Sequence, residues 1–223
     1  MATGSRTYLI AAAALVVAAG LGYWAYGTQK KSETGKAGMA LAQQTARQLD
    51  ETLGLDPGRP SSESVQAIGE YAAAASRNLE ALRRLNASGN PALVDALDDF
   101  LLTGREILAR QAASFRSRRQ FVASAQSLRE HMRADNRTGK WVREAVERKE
   151  RVEKDYRDYQ STAEALDKLL ESFPASVARV TARSKATPLV DEKLVAEARK
   201  RSGAALKQAT DEIEKIRQFA VPR

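Results

Sequence analysis

The residue types that do chemistry are sparse in this chain and set narrow limits on it. His131 is the only histidine and there is no cysteine. Histidine relays, paired-histidine metal sites, thiolate ligands and cysteine nucleophiles are therefore excluded within one chain. No Glu-x-x-His occurs, so a di-iron bundle site is excluded, and no phosphate-cradling glycine loop or Gly-x-Ser-x-Gly elbow is present. We expect no catalytic residue, no metal and no cofactor. His131, beside Glu130 on a basic helix end, is expected to be exposed and solvated.

Two charge clusters remain. Asp95, Asp98 and Asp99 have the oxygen chemistry of a divalent-cation site. Their place just after Pro91 is better explained by the partial positive charge of a helix start. The second cluster is basic. Residues 101–151 carry 13 basic against 6 acidic side chains, in a chain whose overall net charge is +8. Arg116, Arg118, Arg119, Arg129, Arg133, Arg137, Lys140 and Arg143 flank the Asp135–Gly139 turn. In an antiparallel hairpin they would gather at one tip, suited to anionic lipid headgroups, a polyanion or an acidic protein partner. A solvated face with pairs such as Glu144–Arg148 and Glu147–Arg151 is the plainer alternative. Nucleic acid is not an expected partner, because no aromatic side chains alternate with these cations.

The elements that would position these residues are helices. Ala, Leu, Arg, Glu, Lys and Gln dominate, aromatics are 6% of residues, and apolar residues recur at three and four rather than two. The spacing predicts an all-α fold. One stripe runs through Met39, Ala42, Ala46, Leu49 and Leu53, and a second through Val65, Ile68, Ala72, Ala75, Leu79 and Leu82. The third and longest segment, Pro91 to about Ala134, places Leu93, Leu97, Phe100, Leu101, Ile107, Leu108, Phe115, Val122, Ala125, Leu128 and Met132 inward. Asn90-Pro91 reads as its cap and first residue, and Gly104 marks a kink or a close helix contact.

A fourth segment, Lys140 to Ser172, keeps a heptad of Ala145, Lys149, Val152, Tyr156, Tyr159, Ala163, Leu166 and Leu170. A short helix from Pro174 to Lys185 and a last one capped at Thr187-Pro188 complete the pattern, so that every proline bounds a helix. Short connections and a period near 3.5 imply an elongated antiparallel bundle of four or five long helices with coiled-coil-like packing. Its Ala-rich core would gain from a second subunit.

Preceding the bundle, Leu9–Ala25 forms one uncharged apolar run of about 25 Å at ~1.5 Å per residue, at the short end of what crosses a ~30 Å hydrocarbon core. Tyr8, Tyr23, Trp24 and Tyr26 would sit at the membrane interfaces. That aromatic end favours an uncleaved signal-anchor over a cleaved signal peptide. Ala14, Ala18 and Gly22, four apart, are a candidate membrane-helix packing face. The expected organisation is a head at 1–7, an anchor at 8–27, a flexible linker at 28–38 loosened by Gly35 and Gly38, and a bundle at 39–220. The layout points to a single-pass protein of a bacterial inner membrane, with the bulk of the chain periplasmic. Expected partners are membrane lipid, other membrane or envelope proteins and a second copy of the chain. The functional expectation is a non-catalytic scaffold, accessory or interaction subunit. The alternative is a sensor-like bundle holding a small molecule or lipid, with Lys149, Tyr156 and Tyr159 lining it.

Overall fold

The computed structural model describes residues 33–85, 90–134 and 138–218, and among them there are five helices and no strand. They are α1 (33–53), α2 (Ser62–Arg84), α3 (Pro91–Arg133), α4 (Gly139–Ser184) and α5 (Glu192–Gln218). The caps follow from short polar side chains that satisfy the first amides of each helix. Ser61 accepts from Ser64 N at 3.0 Å, Asn90 from Leu93 N at 3.3 Å and Thr138 from Trp141 N at 3.3 Å. Pro91 occupies the first turn of α3, where its missing N–H costs nothing. The last helix starts later than expected: Asp191 rather than Thr187 caps it, accepting from Lys193 N at 2.9 Å.

Helices α3 and α4 form one long antiparallel hairpin whose register is marked along its length. Phe100 stacks on Phe173 at 5.5 Å, Ser117 meets Thr162 at 2.8 Å, and Gln120 reaches Asp155 at 3.0 Å. At 43 residues, α3 extends about 65 Å at ~1.5 Å per residue. Two groups of helices divide this length. The α1–α2 hairpin, itself joined by an Asn78–Thr45 bond of 3.1 Å, packs on the first half of α3. Helix α5 runs antiparallel to α4, with Arg199 on Asp167 at 2.7 Å and Tyr156 on Thr210 at 2.9 Å.

Two apolar cores result. One contains Leu49, Leu82, Leu97, Phe100, Leu108, Phe115, Leu170 and Phe173. The other contains Phe121, Leu128, Val152, Tyr156, Tyr159, Ile213 and Ile216. Each fully buried Phe or Leu stabilises the packing by about 1.5–3 kcal/mol. The buried polar residues Gln111, Ser114 and Arg118 stand on α3 near the junction between the cores.

Several sequence expectations are corrected here. Residues 33–38 are helical, and Gly38 is buried: a Cβ there would lie 2.9 Å from Leu97 Cδ1, so this glycine serves close packing rather than a loose linker. Residues 28–32 of that linker, the head and the whole Leu9–Ala25 anchor lie outside the described residues. So do Tyr8, Tyr23, Trp24 and Tyr26 and the Ala14, Ala18 and Gly22 face. Among the described residues no helix is long and apolar enough to cross a membrane. The break expected after Ser172 is absent, because α4 continues through Pro174. Leu170, Phe173, Val177 and Val180 keep one inward stripe across the proline, and their burial outweighs the lost hydrogen bond. Val122 is exposed and Phe121 takes its inward place. Gly104 is a close contact, as one of the two expectations had it: a Cβ would sit 3.2 Å from both Leu49 Cδ1 and Thr45 Cγ2.

Candidate functional site

The basic cluster does not assemble as one tip. Arg116 and Arg119 are exposed but stand 17 and 14 positions before Arg133, which places them about 20–25 Å away along the helix axis. Arg118 is 2% exposed and belongs to the interior, its guanidinium 5.5 Å from the ring centres of both Phe121 and Tyr159. Arg129 pairs with Glu212 of α5, and Lys140 lies 3.9 Å from Glu144. Arg133 and Arg143 are exposed and have no ion-pair partner among the described residues. Arg137 lies outside the described residues. Of the eight cations, the hairpin end therefore keeps Arg133, Lys140 and Arg143, with Arg129 on its flank. Arg148 does not pair with Glu144; it donates to Ser127 across the hairpin.

This end is held by a contact that the sequence reading placed in solvent. His131 is not solvated: its side chain is 10% exposed and its ring stacks on Trp141 at 5.1 Å with 14° between the planes. Trp141 Nε1 donates to the His131 carbonyl at 3.1 Å, and His131 Nε2 lies 3.0 Å from the Trp141 carbonyl. Trp141 is itself 6% exposed. A Trp three residues after an N-capping Thr was the available signal, since its ring reaches back over the preceding turn.

Asp98 and Asp99 are not helix-start charges either, because no acidic residue falls in the first turn of α3. Asp98 takes a two-pronged pair from Arg83 of α2 at 2.7 and 3.1 Å. Asp99 accepts from Arg179 at 2.7 Å and from Ser176 at 2.6 Å, both on α4. The two carboxylates clamp α3 to its neighbours on both sides. Among the described residues no group of three or more acidic or histidine side chains is arranged to hold a metal.

The tyrosine pair is core. Tyr156 is 6% and Tyr159 1% exposed, and Tyr156 packs on the Phe121 ring at 5.7 Å. Burial pushes the Tyr159 hydroxyl up to about 12, and Tyr156 adds to the rise while Arg118 opposes it. Lys149 leaves the seam and donates to the Arg217 carbonyl at 3.2 Å. None of the three lines the open spaces described next.

Open space lies elsewhere. Between α3 and α4, on the side lined by Ala123, Ser124 and Ser127, a groove of about 290 Å³ is bordered by Gln120, Arg148, Arg151 and Asp155. A larger depression of about 480 Å³ sits at the opposite end of the molecule, where Gly35, Lys36 and Met39 meet Asn90 and Arg183. Compared with known proteins, the chain matches no family model, no curated protein and no solved structure.

Proposed function

We propose that this protein is a non-catalytic, membrane-tethered helical rod that presents its α3–α4 end to an acidic protein partner of a membrane or envelope assembly. One observation carries the reading: residue 33 and the basic hairpin end stand at opposite ends of α3. Gly35 neighbours Leu93 at the start of α3, whereas Arg133, Lys140 and Arg143 lie about 60 Å further along. If Leu9–Ala25 lies in a bilayer, the basic end projects away from its own headgroups. That geometry favours a protein partner over lipid at this end.

The remaining surface supports the same reading. Val122 and Val146 are the only exposed large hydrophobics among the described residues, so the rod buries its own core and meets partners through charge. The His131–Trp141 contact keeps that end ordered in advance, which lowers the entropy lost on binding. Self-association would fall to the Ala14, Ala18 and Gly22 face of the anchor. A periplasmic location in a bacterial inner membrane follows from the signal-anchor layout and stands or falls with it.

Photo-crosslinkers at positions 133 and 143, and separately at 36 as a control, would test this in intact membranes with the full chain. A protein adduct at 133 or 143 that disappears in Arg133→Glu/Arg143→Glu, with unchanged helicity and Tm, is the expected result. Adducts to lipid alone at 133 and 143 would overturn the reading. A C-terminal topology reporter tests the sidedness independently.

A further inference from the structure

The groove between α3 and α4 contains a carboxylate that the fold leaves half satisfied. Asp155 is 3% exposed, its Oδ1 accepts from the Gln120 amide at 3.0 Å, and its Oδ2 has no hydrogen-bond partner. No cation pairs with it among the described residues. A buried, uncompensated carboxylate is costly and rare, and calls for a donor that is not part of the chain. On the same groove Arg148 spends one nitrogen on Ser127 and leaves its buried Nε without an acceptor. Arg151 borders the groove, exposed and without an ion-pair partner among the described residues. The groove thus offers one unmet acceptor at one end and unmet guanidinium donors at the other.

We infer that this groove binds a small zwitterion of the amino-acid class, its ammonium on Asp155 and its carboxylate on Arg148 and Arg151. Positions 148, 151 and 155 fall on one face of α4, with the outer two about 10 Å apart along the axis. After a hydrogen bond at each end, that span suits charges separated by a few bonds. Carboxylate recognition is what guanidinium groups do best, through paired N–H donors. The walls Ala123, Ser124 and Ser127 are small, so no side chain fills the space, and no aromatic offers a stacking platform. A volume of about 290 Å³ is at the lower end of ligand pockets, which limits the ligand's own side chain to a small one.

The test is thermal unfolding and titration calorimetry of the full chain in detergent. The probes are the twenty L-amino acids, β-alanine and γ-aminobutyrate, with matched amines and matched carboxylates lacking the second charge. At least one amino acid at about 10 mM is expected to raise the Tm, and neither single-charge analogue to do so. Asp155→Asn should fold with an unliganded Tm at or above that of the parent, because it removes the uncompensated charge, yet lose about tenfold or more in affinity. Arg151→Ala, at an exposed position, should lose affinity comparably without a change in unliganded Tm. The proposal is overturned by silence from every amino acid, by equal response to the matched amines or carboxylates, or by a response that survives both substitutions.

Discussion

Trp141 and His131 exchange hydrogen bonds across the end of the α3–α4 hairpin, each ring nitrogen bonded to the other residue's carbonyl at 3.1 and 3.0 Å. A carbonyl only accepts, so His131 Nε2 carries a proton in this arrangement. The stacked rings, 5.1 Å apart, cover the two bonds from water. Each such bond contributes about 0.5–1.5 kcal/mol and the ring contact a similar amount.

Trp141→Phe keeps a ring and deletes one bond, and is expected to cost about 1–2 kcal/mol. Hydrogen exchange is the discriminating measurement: amides of residues 128–134 and 138–146 should exchange faster, while those near Phe100 and Phe173 should not. Uniform protection in the variant would show that the contact does not hold the hairpin end.

Glycines separate into two classes by what a Cβ would meet. Gly69 in α2 and Gly203 in α5 have nothing within 4 Å of that position. Gly69→Ala and Gly203→Ala are each expected to raise stability by about 0.5–1 kcal/mol through helix propensity. Gly104→Leu is expected to cost about 2 kcal/mol or more, since Leu49 and Thr45 already stand 3.2 Å from the missing Cβ. Urea denaturation of the three variants ranks them, and equal effects would remove the close-approach argument.

Much of this architecture is legible in local sequence, and the parts that are not have a common cause. The Asn90-Pro91 cap, the α2 stripe and the heptad from Ala145 to Leu170 are properties of neighbouring residues, and they appear in the structure as expected except at Lys149, which leaves the seam. The inward face of α3 is different. Its partners change from α1 and α2 to α5 along its length, and two successive steps of three, Phe115 to Arg118 to Phe121, rotate the buried stripe. Periodicity extrapolated from the first half therefore points to Val122 and leaves Arg118 outside. The Asp98 and Asp99 clamps are likewise invisible locally, because Arg83 and Arg179 reach them from other helices. The groove is harder still, since Asp155 shows its isolation only against Gln120 and the small residues of α3.

Arg118 and Tyr159 share a buried space in which neither is fully satisfied. Arg118 Nε and Nη1 and the Tyr159 hydroxyl are buried without partners. Contacts of the guanidinium with two rings offset part of this cost. Arg118→Met keeps the long stem, removes the orphaned donors and is expected to gain about 1–2 kcal/mol, whereas Arg118→Ala leaves a cavity and destabilises.

Tyr159 gives the same region a pH dependence. Its folded pKa is about 12 against an ordinary 10.0, mainly through burial. Below pH 10 both folded and unfolded chains hold the proton and this stability is complete. Between 10 and 12 the unfolded chain releases it first, so stability falls by about 2–3 kcal/mol as pH rises. Tyr159→Phe is expected to flatten this limb in a series of urea melts from pH 9 to 12. An unchanged slope in the variant would assign the loss to other groups.

Pro174 poses the sharpest conflict between local rule and observed structure. It stands inside α4, where it supplies no N–H to the Leu170 carbonyl and its ring crowds that same turn. The helix continues because Val177 and Val180, each 2% exposed or less, are buried against the first core beyond the proline. Two such residues at about 1.5–3 kcal/mol each match or exceed the ~3 kcal/mol cost of an interior proline. Pro174→Ala restores the hydrogen bond, and a gain of about 1–3 kcal/mol is expected, with faster-forming helix in the 170–184 stretch. The opposite substitution isolates the compensating force: Val177→Ala in the Pro174 background should unwind α4 beyond Phe173, whereas Val177→Ala with Pro174→Ala should not. Hydrogen exchange at residues 175–184 reads both, and equal protection in the two variants would mean that core burial is not what carries the helix through the proline.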